Sequence, residues 1–275
     1  MRERLSAVAD DWCISVERTQ ETASSVLGFG TREGRRVVLK IVRPGCDEWH
    51  AGSVAAAFGG RGVVRVLAHR PGAVLLEELR PGTTLVSLVV FGSDDEATRA
   101  IAGVVRAMQA NAPGSCEVPS AIDWGSAFDW YVRGGRARIP SELVLDAEAR
   151  YRELCRGQRE ARLLHGDLQH SNVLLDGERG WLAVDPKGVR AELEFELGAA
   201  FRNPREAADY TCSPAAIGRR LRVFAAELPV DPARVLGWAY SQAVLSAIWM
   251  VQDGFEVDES TLRLAYGVRS YLDHI

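Results

Sequence analysis

The sequence predicts an α+β protein in two lobes, a small N-terminal β-sheet lobe with one inserted helix and a larger, mainly helical C-terminal lobe. Three observations carry this. Runs of β-branched and apolar residues punctuated by turn sequences fill the first ~80 residues. A polar break at Arg80-Pro81-Gly82 follows them. Helical spacings and proline-led helix starts dominate the rest.

The clearest strand is Arg36 to Val42, R-V-V-L-K-I-V, bounded by Arg-Glu-Gly-Arg before it and Arg-Pro-Gly after. Cys46 to Phe58 has helical character. Val63 to Ala68 and Ala73 to Leu79 read as strands joined by the turn His-Arg-Pro-Gly. Residues 1–79 are thus expected to form the first lobe and 80–275 the second, with 80–82 as a hinge. Asp94 to Ala110 carries apolar residues at Ile101, Val104, Val105 and Met108, a helical spacing. Ser213-Pro214 and Asp231-Pro232 each set an N-cap residue before a proline suited to the first helical turn. A β-rich interruption, Val173 to Leu175 and Trp181 to Val184, surrounds Asp-Gly-Glu-Arg-Gly.

With 275 residues, 47% of them hydrophobic and 25% charged, the chain can bury one large core or two smaller ones. A formal net charge of -4 offers no basic face for a phosphate backbone, which argues against a nucleic-acid partner. No apolar run approaches the ~18 residues a membrane helix needs, and Met1 to Trp12 is too charged for a signal-peptide core. A cytoplasmic monomer or homodimer with small-molecule ligands is expected. Cys13, Cys46, Cys116, Cys155 and Cys212 are scattered, so they should be reduced and mostly buried. His50, His69, His165, His170 and His274 form no H-x-x-x-H pair, which speaks against a transition-metal site.

The chemistry concentrates in His165-Gly166-Asp167-Leu168-Gln169-His170-Ser171-Asn172, which has the H-x-D-x-x-x-x-N spacing of kinase catalytic loops. An Asp that accepts a hydroxyl proton and an Asn that holds magnesium must face one phosphate, and a short loop between strands lets both do so. A polar turn is the competing description. Asp185 ends the apolar strand Trp181-Leu182-Ala183-Val184, 18 residues after Asp167, where a carboxylate can reach bound Mg2+. Lys40 is a lone charge in an apolar strand and requires an anionic partner. A kinase supplies nucleotide phosphates and a helix Glu; Glu48 is the natural candidate and Asp47 the reserve. An edge-strand lysine reaching solvent is the alternative.

The phosphate-covering loop is less distinct. Gly28-Phe29-Gly30 begins a kinase glycine pattern that Thr31-Arg32-Glu33 does not complete. Ser24 and Ser25, within Thr22 to Ser25, offer hydroxyls that could cradle phosphate, and equally fit an ordinary turn. No G-x-x-x-x-G-K-S/T segment is present, which excludes a P-loop fold. Glu77 to Leu79 offers extended backbone that could bond a purine edge, or a plain linker.

Together these residues make the chain resemble the aminoglycoside phosphotransferases, and within them the streptomycin 6-kinase and hydroxyurea-kinase group. The resemblance runs nearly the whole length. It is most specific in Gly60 to Leu67, Leu75-Leu76-Glu77 with Leu79 to Gly82, Leu164 to Leu174, and Arg179 to Gly188, and continues through Leu197-Gly198 and Arg202-Asn203-Pro204. It implies a protein-kinase-like fold and direct in-line transfer from ATP or GTP, with Mg2+, to a hydroxyl. It implies Asp167 as base, Asn172 and Asp185 as magnesium ligands, and Lys40 on the phosphates with Glu48 beside it. Two departures stand out. Glu196 occupies a position where the family usually has Asp, one implied to support the catalytic loop. Gln169 and Ser171 stand where His and Gly or Glu are commoner.

A cationic acceptor needs carboxylates, and Glu192, Glu194, Glu196 and Asp209 follow the catalytic loop. E-L-E-F-E-L also reads as an ordinary half-exposed segment. Asp123-Trp124 and Asp129-Trp130 could flank a sugar or simply pack on a helix surface. A protein kinase is disfavoured, since no A-P-E segment or activation loop follows Asp185. A non-catalytic nucleotide-binding module would have lost one of Lys40, Asp167, Asn172 or Asp185. A kinase for another small hydroxyl compound remains the rival to an aminoglycoside kinase.

Overall fold

In chain order the elements are α1 (Arg2–Asp11), β1 (Ser15–Glu21), β2 (Ser25–Arg32), β3 (Arg35–Val42), α2 (Ala51–Ala57), β4 (Val66–Arg70), β5 (Ala73–Glu77) and β6 (Pro81–Thr84). There follow α3 (Val86–Val90), α4 (Asp94–Gln109), α5 (Ala121–Arg133), α6 (Ser141–Arg156), β7 (Arg162–Leu164), β8 (Val173–Asp176), β9 (Gly180–Ala183) and β10 (Val189–Ala191). The chain closes with α7 (Leu193–Glu196), α8 (Gly198–Phe201), α9 (Ala208–Thr211), α10 (Pro214–Glu227), α11 (Pro232–Gln252) and α12 (Glu259–Leu272). The computed structural model describes residues 1–110, 114, 116–135 and 137–272; His274 lies outside them.

Two compact units emerge. The first gathers 1–84, 103–117 and 172–188, the second 85–102, 118–171 and 189–275. The division read from the sequence followed chain order, whereas these units interleave.

The first unit is built on an antiparallel sheet in the order β1-β2-β3-β5-β4. Its hairpins obey their turn residues. Glu33 and Gly34, both at positive φ, close β2 onto β3 with Arg32 opposite Arg35, as a two-residue twisted hairpin requires. Pro71-Gly72 likewise closes β4 onto β5. Alternation along β3 sends Val37, Leu39 and Ile41 into a core with Leu5 and Val8 of α1, and Lys40 to the opposite face. The helix α1 was not expected; only Leu5, Val8 and Ala9 of its ten residues are buried, too few to stand out in a charged segment. The helix expected over Cys46 to Phe58 is instead a 3₁₀ turn, Asp47–His50, followed by α2. A second sheet, β6-β8-β9, is tied in by Val64 N–H to Ala183 O (2.9 Å) and Ala183 N–H to Gly62 O (2.8 Å).

The second unit is helical around α11, whose residues from Val235 to Leu245 are all buried. Asp231 caps α11 through the N–H groups of Ala233 and Arg234, with Pro232 in the first turn, and Ser213 caps α10. Trp124, Tyr151, Phe195, Trp238 and Trp249 interlock by tilted and edge-on contacts at centroid distances of 4.9 to 5.7 Å. Trp124 therefore packs in this cluster. The short pair β7-β10 leads into the segment containing Asp167. No described helix is long and apolar enough to cross a membrane. The cysteines form no disulfide among the described residues, but they are not mostly buried: Cys13 is exposed and the other four are half-buried.

Candidate active site

In the first unit, Lys40 pairs through its backbone with Leu27 of β2 and Val74 of β5, in the middle of the sheet. Its side chain is almost fully buried, so its charge must be met within the protein. Nζ lies 2.7 Å from Glu48 Oε2 and 2.8 Å from Asp185 Oδ1. Burial alone would lower the Lys40 pKa; Asp185 and then Glu48 outweigh it, and the net direction is upward. Ser24, from the β1–β2 turn, donates to Glu48 Oε1 at 3.2 Å. Ser24, Lys40, Glu48 and Asp185 thus form one connected cluster. Asp47 is not part of it and pairs with Lys187 at 3.1 Å.

Asn172 and Asp185 meet at one end of the β8–β9 hairpin. Val173 pairs with Ala183, and the Val184 N–H continues the ladder to Asn172 O at 2.9 Å. Asp185 then turns out of the strand at φ 58, a left-handed conformation that Asp tolerates better than most side chains. An amide and a carboxylate oxygen at one hairpin end suit Mg2+, which takes few protein ligands and fills its octahedron with phosphate and water. Among the described residues no group of three or more His, Cys, Asp or Glu gathers as a self-sufficient metal cage.

In the second unit, the chain leaves β7 through His165, which is fully buried, and Gly166 at φ 82 before reaching Asp167. Glu196 holds this turn: its carboxylate accepts the N–H of His165 at 2.6 Å and of Gly166 at 2.9 Å. Burial pushes the Glu196 carboxyl up to about 7, the two N–H donors working against that and the charge of Asp167 with it. The Asp167 N–H donates to His165 Nδ1 at 3.3 Å. His170 is buried, and its carbonyl receives the Leu85 N–H at 3.1 Å. Its pKa falls well below 6.5 through burial and then the charge of Arg220, so the ring is neutral. Arg202 approaches Asp167 Oδ1 to 3.7 Å. The sequence placed Arg202 in the family resemblance but gave it no role, although a charge directly after the buried Gly-Ala-Ala-Phe of α8 needs a partner.

Other predicted residues are placed differently. Ser25 is locked inside its turn, its N–H on Thr22 Oγ1 at 2.9 Å and its hydroxyl 2.8 Å from the same atom. Gly28 and Gly30 belong to β2 rather than to a loop. A Cβ on Gly30 would sit 2.0 Å from Ser15 O, so that glycine permits the close approach of β1. The side chain of Glu77 accepts the Arg65 N–H at 2.7 Å and pairs with Arg179, while its own N–H goes to Arg65 O. Leu79 is buried. The expectation that Glu192 and Glu194 face a cationic ligand gives way. Glu192 is almost fully buried and receives Arg234 Nε at 2.8 Å and Trp238 Nε1 at 2.6 Å. Glu194 is also buried and accepts the Asp231 N–H at 3.1 Å. Both are held within the helical unit. Asp209 is exposed and pairs with Arg263 at 2.9 Å. Asp123 completes a capping box with Ser120, and Asp129 binds Arg152 at 2.9 Å.

The family described as aminoglycoside/hydroxyurea antibiotic resistance kinase matches residues 12–254. The chain belongs to this kinase family. It is 34% identical over 221 residues to a streptomycin 3''-kinase of Klebsiella pneumoniae, covering 79% of this chain and 80% of that protein. It is 28% identical over 274 residues to a streptomycin 6-kinase of Streptomyces glaucescens, covering 95% and 87% respectively. A choline kinase structure from Streptococcus pneumoniae superposes with a TM-score of 0.67 at 13% identity, covering 100% of this chain and 99% of that one. An aminoglycoside phosphotransferase solved with ADP and hygromycin B gives a TM-score of 0.66 at 14% identity, covering 96% and 97%. These two likenesses establish the protein-kinase-like fold of the antibiotic resistance kinase.

Proposed function

We propose that this kinase transfers the γ-phosphate of ATP or GTP to a ring hydroxyl of streptomycin or a related guanidinylated aminocyclitol, as a streptomycin 6-phosphotransferase that confers resistance. The similarity to streptomycin kinases over most of the chain carries this reading. Segment 1–79 takes the nucleotide and 80–275 the acceptor. Asp167 accepts the hydroxyl proton, oriented by the turn that Glu196 holds. Lys40, fixed by Glu48, meets the nucleotide phosphates, and Ser24 lies beside that pair. Backbone of Glu77 and Leu79 meets the purine edge. Asn172 and Asp185 hold magnesium, which when bound neutralises charge building on the transferring phosphoryl group. With Glu192, Glu194 and Glu196 occupied internally, Asp209 is the remaining one of the four carboxylates for a cationic acceptor.

The test is the purified protein with Mg2+, each nucleotide and streptomycin, analysed by mass spectrometry. A product heavier by one phosphoryl group supports the proposal, and fragmentation assigns the ring that carries it. A second reading is favoured by 30% identity over 235 residues to a hydroxyurea phosphotransferase of Kitasatospora aureofaciens. Turnover of hydroxyurea with no modification of any aminocyclitol would move the assignment there.

A further inference from the structure

We propose that Arg202 is the positioning residue of Asp167, its guanidinium held by Gln242 and its flanking backbone by a buried Asp94–Arg220 pair, so that it fixes the carboxylate of the catalytic loop. This rests on the reading of Asp167 as the base. The side chain of Arg202 is 14% exposed, and the carboxylate it faces is that of Asp167. Its Nη2 lies 3.7 Å from Asp167 Oδ1. At that distance the attraction is Coulombic rather than a hydrogen bond, so it steers the carboxylate without saturating an oxygen that an acceptor hydroxyl needs.

Arg202 is held at both ends, its guanidinium by a side chain and its flanking backbone by Arg220. Its Nη1 lies 3.4 Å from Gln242 Oε1, and the Gln242 amide is fixed in turn by donating to Phe195 O at 2.7 Å. Gly198 allows this, since any Cβ there would collide with the Gln242 amide. The backbone on either side of Arg202 is gripped by Arg220, which donates to Ala200 O and to Asn203 O, both at 2.7 Å. Arg220 is itself buried and forked onto Asp94, Nε at 3.0 Å and Nη2 at 2.6 Å, with the Tyr210 hydroxyl on the second Asp94 oxygen at 3.1 Å. Burial lowers the Arg202 pKa and Asp167 opposes that, so the pairing offsets the cost of keeping this charge inside. A long side chain that would otherwise lose its rotamer freedom during the reaction has already lost it on folding, the condition for a preorganised site.

The test places Arg202→Lys and Arg202→Ala in the wild-type and Asp167→Asn backgrounds. Rates are measured with MgATP and streptomycin and, independently of the antibiotic, as hydrolysis of MgATP alone. In the wild-type background kcat falls roughly 100-fold while nucleotide KM stays within about threefold, the signature of misplacement at the reacting group. In the Asp167→Asn background the same changes cost less than about threefold further, because their target is already gone. Millimolar guanidinium restores part of the Arg202→Ala rate with Asp167 present and none with Asn. If Asp167→Asn itself keeps the wild-type rate, the base assignment falls and takes this inference with it. If Asp167→Asn is impaired but the Arg202 changes cost the same in both backgrounds, Arg202 is merely structural and this inference alone is overturned. Urea midpoints check folding, and the lysine variant, which keeps charge and much of the length, decides if the alanine variant unfolds.

Discussion

Replacing Glu196 by Gln should change how stability depends on pH, and its size follows from the geometry. The wild-type carboxyl is 2% exposed and accepts two backbone N–H groups. Glutamine offers one oxygen and turns an N–H₂ toward the second donor. One buried N–H is left unsatisfied, at a cost of about 1–3 kcal/mol. A pH-dependent part is added to this. The Glu196 pKa rises from an ordinary 4.5 to about 7 on folding, chiefly by burial. For an acid raised on folding, the native state binds the proton more tightly. The stabilisation is complete below pH 4.5 and is lost as pH climbs through 7. Other titrating groups are shared by both proteins and cancel in the difference. The stability of wild type minus that of Glu196→Gln should therefore shrink by roughly 2–3 kcal/mol between pH 5 and pH 8. Urea denaturation at pH 5, 6, 7 and 8 measures it through the midpoints. A difference that stays constant, or widens with pH, would refute the account of a buried carboxyl forced toward neutrality.

Three further outcomes are expected. Asp185→Ala should lose the magnesium-dependent part of nucleotide affinity by about tenfold more than Asn172→Ala, since a carboxylate brings charge to the cation and an amide only a dipole; calorimetry with and without Mg2+ reads this, and equal metal dependence in Asp185→Ala and wild type would make the turn structural. Asp94→Ala strands the buried Arg220 charge and should cost about 3–5 kcal/mol in urea unfolding, whereas the paired Asp94→Leu, Arg220→Met change recovers most of it. Gly30→Ala drives a Cβ into the Ser15 carbonyl, a backbone atom that cannot rotate away, and should destabilise by at least about 1–3 kcal/mol as read by thermal melting.

What was legible in the sequence was local. Lys40 in an apolar strand demanded a counter-charge, and Glu48 eight residues on supplies it. The turn pairs Glu33-Gly34 and Pro71-Gly72 specified their hairpins, and the Ser213-Pro214 and Asp231-Pro232 starts located α10 and α11 because cap and first-turn chemistry act within four residues. The Asp94–Arg220 pair was not legible, since its partners lie 126 residues apart and each alone reads as a surface charge on a helix. Gly28 and Gly30 were ambiguous for a related reason. Their spacing imitates the start of a phosphate loop, while their cause is the packing of β2 against Leu5 and the β1 backbone.

The segment Glu192 to Leu197 shows most sharply where pattern reading stops. Its alternation of acid and apolar residues has the period of a half-exposed strand, with the carboxylates facing solvent. Instead, Leu193 to Glu196 form the short helix α7, and all six residues are buried. Each of the three carboxylates meets its own donors: Arg234 and Trp238 for Glu192, the N-cap N–H of α11 for Glu194, and the turn before Asp167 for Glu196. Those donors come from residues 30 to 46 positions away, so no window of a few residues contains them. Burying three acids in six residues is tolerable only because every one is met, and that requirement explains how a turn carrying Asp167 and the cap of the central helix come to be fixed by a single stretch of chain.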